Sequence, residues 1–221
     1  MATVVMTLAA PMQSWGSRSR FFFRDTETEP TKSGVIGLVA SALGYEREAD
    51  LSALSDLIFG VRVDKEGKVQ KDYHTVEGVY KASGGVNTGS KITERFYLSD
   101  AFFTAAFEGD EVFLKEIAAA LKNPRRVLYF GRKSFVPSRL LISDDSLSSK
   151  GLEDALMEYP LYEGAEEKIR FVVDSKTPTT DLRNDVPVNF DKLNRLYASR
   201  YVRTFFVDKS RLLKETNNVS K

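Results

Sequence analysis

The single histidine, His74, follows Lys71, Asp72 and Tyr73, so four consecutive residues supply a cation, a carboxylate, a phenol and an imidazole. Metal-free RNA cleavage asks for a base, an acid and a cation, and this run is where such chemistry would sit. A histidine there serves equally to stack on a base, to bond a phosphate or to hold structure. One histidine cannot build a two-histidine metal site, no carboxylates are spaced as metal ligands, and no cysteine is present. Disulfides, thiol catalysis and cysteine-ligated metal are therefore excluded, and no cofactor is expected. Gly89-Ser90-Lys91 has the order Gly-Ser-Lys where a phosphate loop has Gly-Lys-Ser, and it stands in a predicted hairpin rather than before a helix. It is not a nucleotide site.

Residues suited to binding a phosphate chain are easier to place. Lys32 and Ser33 stand at a predicted helix start, where free amides and the helix dipole attract anions. Gly34 and Gly37 are costly inside a helix, which points either to close approach of a ligand or to tight packing of helix on sheet. Trp15, the only tryptophan, lies in a loop beside Gln13 and Ser14 and reads either as a base-stacking platform or as a core plug. Arg132 and Lys133 follow a predicted strand end at Gly131, a position suited to backbone phosphates. Phe21, Phe22 and Phe23 cannot all face one way in a strand, so at least one is exposed or at an interface.

The elements that must position these residues follow from periodicity. Residues 3–8 alternate as a strand, and a loop rich in Ser, Gly and Arg runs over 9–30. Apolar spacing predicts a helix over 33–43, capped by Thr31 or Ser33 and stopped at Gly44. A short helix over 50–57 and a strand over 58–64, with Phe59, Val61 and Val63 on one face, come next. Residues 65–93 are polar and glycine-rich, as in a flexible loop or the tip of a protruding hairpin. A long strand is expected over 94–107, then a helix capped by Asp110 with Phe113, Ile117 and Leu121 on one face, and a strand over 127–130. The order strand, helix, strand, insertion, strand, helix, strand is the split βαβ pattern of α+β ferredoxin-like domains. That gives a first domain over 1–143 and a small β-rich part over 144–211, with a short helix over 152–157 and strands over 169–174 and 200–207. A polar tail covers 212–221.

Length and composition agree with a packed globular chain: 221 residues and 15 phenylalanines. No apolar run is long enough to span a bilayer, and the start lacks the marks of a signal peptide, so a cytoplasmic, membrane-free protein is expected. The net charge of +1 hides a segregation. Arg18, Arg20 and Arg24 precede the first acid, Asp25, and between Ile117 and Ser143 only Lys122, Arg125, Arg126, Arg132, Lys133 and Arg139 are charged. Residues 144–167 are strongly acidic. The pattern reads either as ordinary solvated charge or, if the two basic segments meet in the fold, as a local phosphate-binding surface.

Four segments in order carry a resemblance: Ala10-Pro11-Met12-Gln13-Ser14-Trp15-Gly16, Pro30-Thr31-Lys32-Ser33-Gly34-Val35-Ile36-Gly37-Leu38, Asp72-Tyr73-His74-Thr75 and Gly131-Arg132-Lys133-Ser134. Tyr197-Ala198-Ser199-Arg200 adds a weaker fifth. Together they resemble the CasD-like Cascade subunits of type I-E CRISPR systems, in the RAMP superfamily. The resemblance implies a ferredoxin-like RNA-binding domain of the RRM and RAMP type, with a β-hairpin thumb at about 65–93 inserted between its second and third strands. It implies a non-catalytic subunit that caps the five-prime handle of the guide RNA (crRNA). Its partners would be the backbone subunit next in the filament, the large subunit and, only indirectly, target DNA. Related type I-C subunits cut precursor RNA themselves, which keeps a metal-independent endoribonuclease using His74, Tyr73 and Lys71 as the alternative. On this basis Gln13, Ser14, Trp15, Gly16, Arg18, Lys32, Ser33, Gly34, His74, Arg132, Lys133, Ser134 and Arg200 are expected to contact RNA. Val76, Val79, Tyr80 and Ile92 are expected at the thumb interface.

Overall fold

The computed structural model describes residues 1–17, 22–81, 83–191 and 195–213. Arg18, with Arg20 and Phe21, lies outside them. The chain begins with strand β1 (Ala2–Ala9) and two short strands, β2 (Met12–Gln13) and β3 (Phe23–Arg24). Helix α1 (Lys32–Leu43), a single turn α2 (Ser52–Ser55) and strand β4 (Ile58–Lys65) follow. The inserted segment holds β5 (Lys68–Val76), β6 (Val79–Tyr80), β7 (Val86–Asn87) and β8 (Lys91–Ser99). Then come β9 (Phe102–Gly109), α3 (Glu111–Lys122), β10 (Leu147–Ser148), α4 (Leu152–Glu158), β11 (Lys168–Asp174), β12 (Asp181–Asn189) and β13 (Leu196–Asp208).

The main sheet has the order β10-β1-β9-β4-β11-β13-β12, with antiparallel pairing throughout. Its first four strands, with α1 and α3 on one face, are consistent with the expected split βαβ arrangement. The C-terminal strands extend this same sheet through β11 against β4. Alternation along β1 explains the layers. Val4, Met6 and Leu8 face α1 and α3, joined by Phe59, Phe103 and Phe107, while Val5 faces α4 with Ala106, Phe171 and Leu156. Each fully buried side chain of this size contributes roughly 1.5–3 kcal/mol of transfer free energy.

The helix signals act as the sequence predicts. The Thr31 hydroxyl accepts from the Gly34 amide at 3.2 Å, and Gly44, at φ 84°, closes α1. Asp110 caps α3 by accepting from the Phe113 amide at 3.0 Å. Two expectations need correction. The long strand over 94–107 is two strands, β8 and β9, broken at Asp100, whose φ of 57° lies in the left-handed region that Asp tolerates. Residues 127–130 form no strand: Phe130 spends its backbone on Ser14 and Phe135, and β10 takes the edge beside β1 instead.

The insertion is an extended hairpin. β5 pairs with β8 from Lys68↔Ser99 to Val76↔Lys91, and a smaller ladder of β6 and β7 forms beyond it. At its base β8 also holds β2 and β3, so the hairpin grows from a small sheet of its own. Thumb side chains are mostly exposed, Tyr80 by 82%.

Candidate nucleic-acid interface

A cleft of about 550 Å³ opens where the thumb base meets the outer face of α1 and the segment 127–132. Ser33, Gly37 and Ser41, four residues apart, present one stripe of α1 to it, and Arg24, Arg95, Arg132 and Arg195 line it from other elements. Fold topology makes this cluster. β3 lies parallel to β8 with Arg24 directly beside Arg95. Like charges in direct cross-strand register oppose folding. The buried Nε of Arg95 has no hydrogen-bond partner among the described residues. Asp25 also lines the cleft, and Asp72 stands 3.9 Å from Arg132, so cations outnumber acids there.

Arg132 is fixed in place. Its Nη2 donates to the Phe96 carbonyl at 2.9 Å, and its guanidinium lies over the rings of Phe135 and Tyr97, 5.0 and 5.8 Å from their centroids. Burial and then the nearby charges of Arg95 and Arg24 pull its pKa below the usual guanidinium range, against the pull of Asp72. Crowding of cations that an anion would relieve is the electrostatic signature of the site. The two basic segments of the sequence thus meet through Arg24 and Arg132. Lys122 instead pairs with Asp144, and Arg139 lies over Phe102 and Tyr162.

Of the residues singled out from the sequence, Ser14, Trp15, Gly16, Ser33, Gly34 and Arg132 line this cleft. Lys133 lines the neighbouring one, and Ser134 is exposed nearby. Four residues expected to contact RNA, Gln13, Trp15, Lys32 and Arg200, are held by contacts within the chain. Gln13 is buried, its Nε2 donating to the Leu8 and Ala101 carbonyls and its Oε1 accepting from the indole of Trp15. Trp15 is 2% exposed and packs on Phe130 with ring centroids 5.5 Å apart, so it plugs the core.

Lys32 does not offer its helix start to a phosphate. The Asp185 carboxylate accepts from its amide at 2.8 Å, and its buried ammonium donates to the Leu57 carbonyl and pairs with Asp174. Burial lowers the pKa of this ammonium despite Asp174. Arg200 closes the same network, bonding Asp185 through Nε and Nη2 and Asp174 through Nη1. Burial opposes its charge, yet these carboxylates leave its pKa raised. The anion that the α1 dipole attracts is therefore internal. Gly34 belongs to packing as well: a Cβ there would stand 2.9 Å from both Trp15 Cε3 and Thr31 Oγ1.

His74 sits on the thumb, half-exposed, with Nε2 3.3 Å from Asp72. Alternation along β5 puts His74 and Asp72 on the face toward Arg132, and Lys71 and Tyr73 on the other, where Lys71 pairs with Glu94. The three residues of the nuclease alternative do not converge. Among the described residues no three His, Asp or Glu side chains gather as a metal site, and no helix is long and apolar enough to cross a membrane. Sequence reasoning missed Arg95 and Arg195 as cleft residues and left Arg24 as one charge in a run. The Arg24–Arg95 register depends on a non-local parallel pairing that no local pattern announces.

Known proteins resemble this chain in sequence and in fold. Residues 3–203 match the family model described as CRISPR-associated protein (Cas_Cas5). The CRISPR system Cascade subunit CasD of Escherichia coli (strain K12) is 36% identical over 146 residues, which are 59% of this chain and 65% of that protein. A structure described as a crystal structure of a Cas protein superposes with a TM-score of 0.77 at 38% identity, covering 95% of this chain and 96% of its own. A chain of a CRISPR RNA-guided surveillance complex gives the same TM-score at 31% identity, covering 97% and 99%.

Proposed function

The chain belongs to the CRISPR-associated Cas5 family, and from that premise we propose that it is a non-catalytic, RNA-binding subunit of a Cascade-type complex. In this reading the arginine cleft grips the phosphates of the guide RNA's five-prime handle. The observation that carries it is the in-register pair Arg24 and Arg95 beside Arg132, with the buried Nε of Arg95 lacking a hydrogen-bond partner among the described residues. Such a cluster costs folding free energy that a bound polyanion repays. The exposed thumb, with Val76, Val79, Tyr80 and Ile92 at its surface, serves as the arm that meets the neighbouring backbone subunit. Contact with the large subunit, a cytoplasmic setting and only indirect contact with target DNA belong to the same proposal.

Binding of a labelled cognate repeat RNA, followed by fluorescence anisotropy across a salt series in EDTA, tests it. Substituting Arg24, Arg95 and Arg132 together by Gln should flatten the log–log salt dependence by about 0.7 for every phosphate that the protein no longer neutralises. An unchanged slope would remove the cleft from the RNA path. Specific cleavage that His74→Ala abolishes would overturn the non-catalytic part.

A further inference from the structure

The groove continues past the arginine cleft. A second depression of about 620 Å³ adjoins it, and Gly37, Ser41, Val127, Tyr129, Phe190 and Arg195 border both. Cations stand on either side of this shared wall: Arg24, Arg95 and Arg132 on one, Arg47 and Lys133 on the other. The wall itself carries Val127, Tyr129 and Phe190 as its apolar and aromatic part, beside Ser41 and Arg195. Val127 is 76% exposed, Tyr129 is partly open to solvent, and Phe190 packs on the core without being covered. Cation, apolar face, cation is the order that phosphate, base and phosphate present along an unpaired nucleic-acid strand.

Gly37 supplies an independent observation. One turn earlier, Gly34 is required because Trp15 and Thr31 leave no room for a side chain. At Gly37 the nearest atoms to an added Cβ are Cε2 and Cζ of Phe190, both at 3.8 Å, an ordinary contact. Its φ is not positive, so neither backbone strain nor internal packing asks for glycine there. Glycine nevertheless weakens a helix interior. What the absent side chain leaves is a flat, bare stretch of the cleft stripe of α1, beside the edge of an aromatic ring.

We infer that this shared wall is a nucleobase subsite. One unpaired base of single-stranded RNA lies over Gly37 against the ring of Phe190, and its two flanking phosphates are held by the cations on either side. The inference rests on the RNA-binding reading above and adds what the strand must present: an unpaired base at this position.

Anisotropy of the full chain with a labelled oligoadenosine RNA, and with the same sugar–phosphate chain lacking bases, tests it. The unaltered protein should prefer the oligoadenosine by about tenfold, the scale of one stacked base. Gly37→Ala should remove most of that preference while raising the melting temperature by about 2 °C, because alanine suits the helix better. Equal affinity of the unaltered protein for the two chains overturns the subsite whatever the variant does. So does a Gly37→Ala protein that keeps the full preference. In both cases binding would stay sensitive to Arg24, Arg95 and Arg132, so the RNA-binding reading would survive. Arginine substitutions without effect would instead take away both.

Discussion

Replacing Gly34 by alanine separates a packing glycine from a ligand-facing one, and the structure sets the size of the effect. The new Cβ would stand 2.9 Å from Trp15 Cε3 and from Thr31 Oγ1, closer than side-chain atoms tolerate. Trp15 cannot yield easily, because its Nε1 donates to Gln13 and its ring packs on Phe130. Overpacking of this kind costs about 2 kcal/mol. Pushing Thr31 aside weakens the cap on the Gly34 amide, which adds about 1 kcal/mol. Alanine returns about 1 kcal/mol through its better helix propensity. The net is a loss of about 2 kcal/mol, or a melting temperature lower by about 4–8 °C for a chain of this size.

Two measurements read this directly. Thermal unfolding gives the stability, and intrinsic fluorescence gives the environment of Trp15, the only tryptophan in the chain. Gly34→Ala should melt earlier and shift the Trp15 emission to longer wavelength as the ring is displaced toward solvent. RNA affinity measured well below the melting temperature should change little. A variant with unaltered melting and emission but impaired RNA binding would refute the reasoning and make Gly34 a point of RNA approach.

Two further predictions follow from the same geometry. Asp185→Asn removes the charge that faces the Lys32 amide and the Arg200 guanidinium, leaving a buried cation underpaired, so a loss of about 3 kcal/mol is expected as a lower denaturant midpoint at constant slope. Replacing residues 76–92 by a short Gly-Ser turn should leave the melting temperature of the body within about 2 °C, since the removed segment buries little. The same change should lower the yield of complex co-purified with partner subunits, and unchanged yield would remove the thumb from assembly.

How much of this was legible in the sequence depends on the range of the interaction. Gly44 and Asp110 could be assigned as caps, and the α1 start narrowed to Thr31 or Ser33, because a cap is decided within a few residues. The alternation of Phe59, Val61 and Val63 was legible for the same reason, although it gave no hint that Arg62 and Asp64 are buried on the opposite face. There Arg62 pairs with Asp64 and donates to the Leu156, Tyr159 and Pro160 carbonyls at the end of α4, partners that only the tertiary fold supplies. The start of α1 failed in the same way. Free amides and a helix dipole rightly called for an anion, and nothing local showed that Asp185, 153 residues away in sequence, would provide it. A basic motif at a helix start is thus ambiguous between a ligand site and an internal clamp until the distant acids are placed. Arg24 and Arg95 resolve the other way. Their parallel pairing places like charges side by side, with Asp72 opposite Arg95 on the other flank of β8, and the buried Nε of Arg95 has no hydrogen-bond partner among the described residues. In the proposed reading the RNA would lie in this cleft, because Lys32 and Arg200 already have their acids in Asp174 and Asp185.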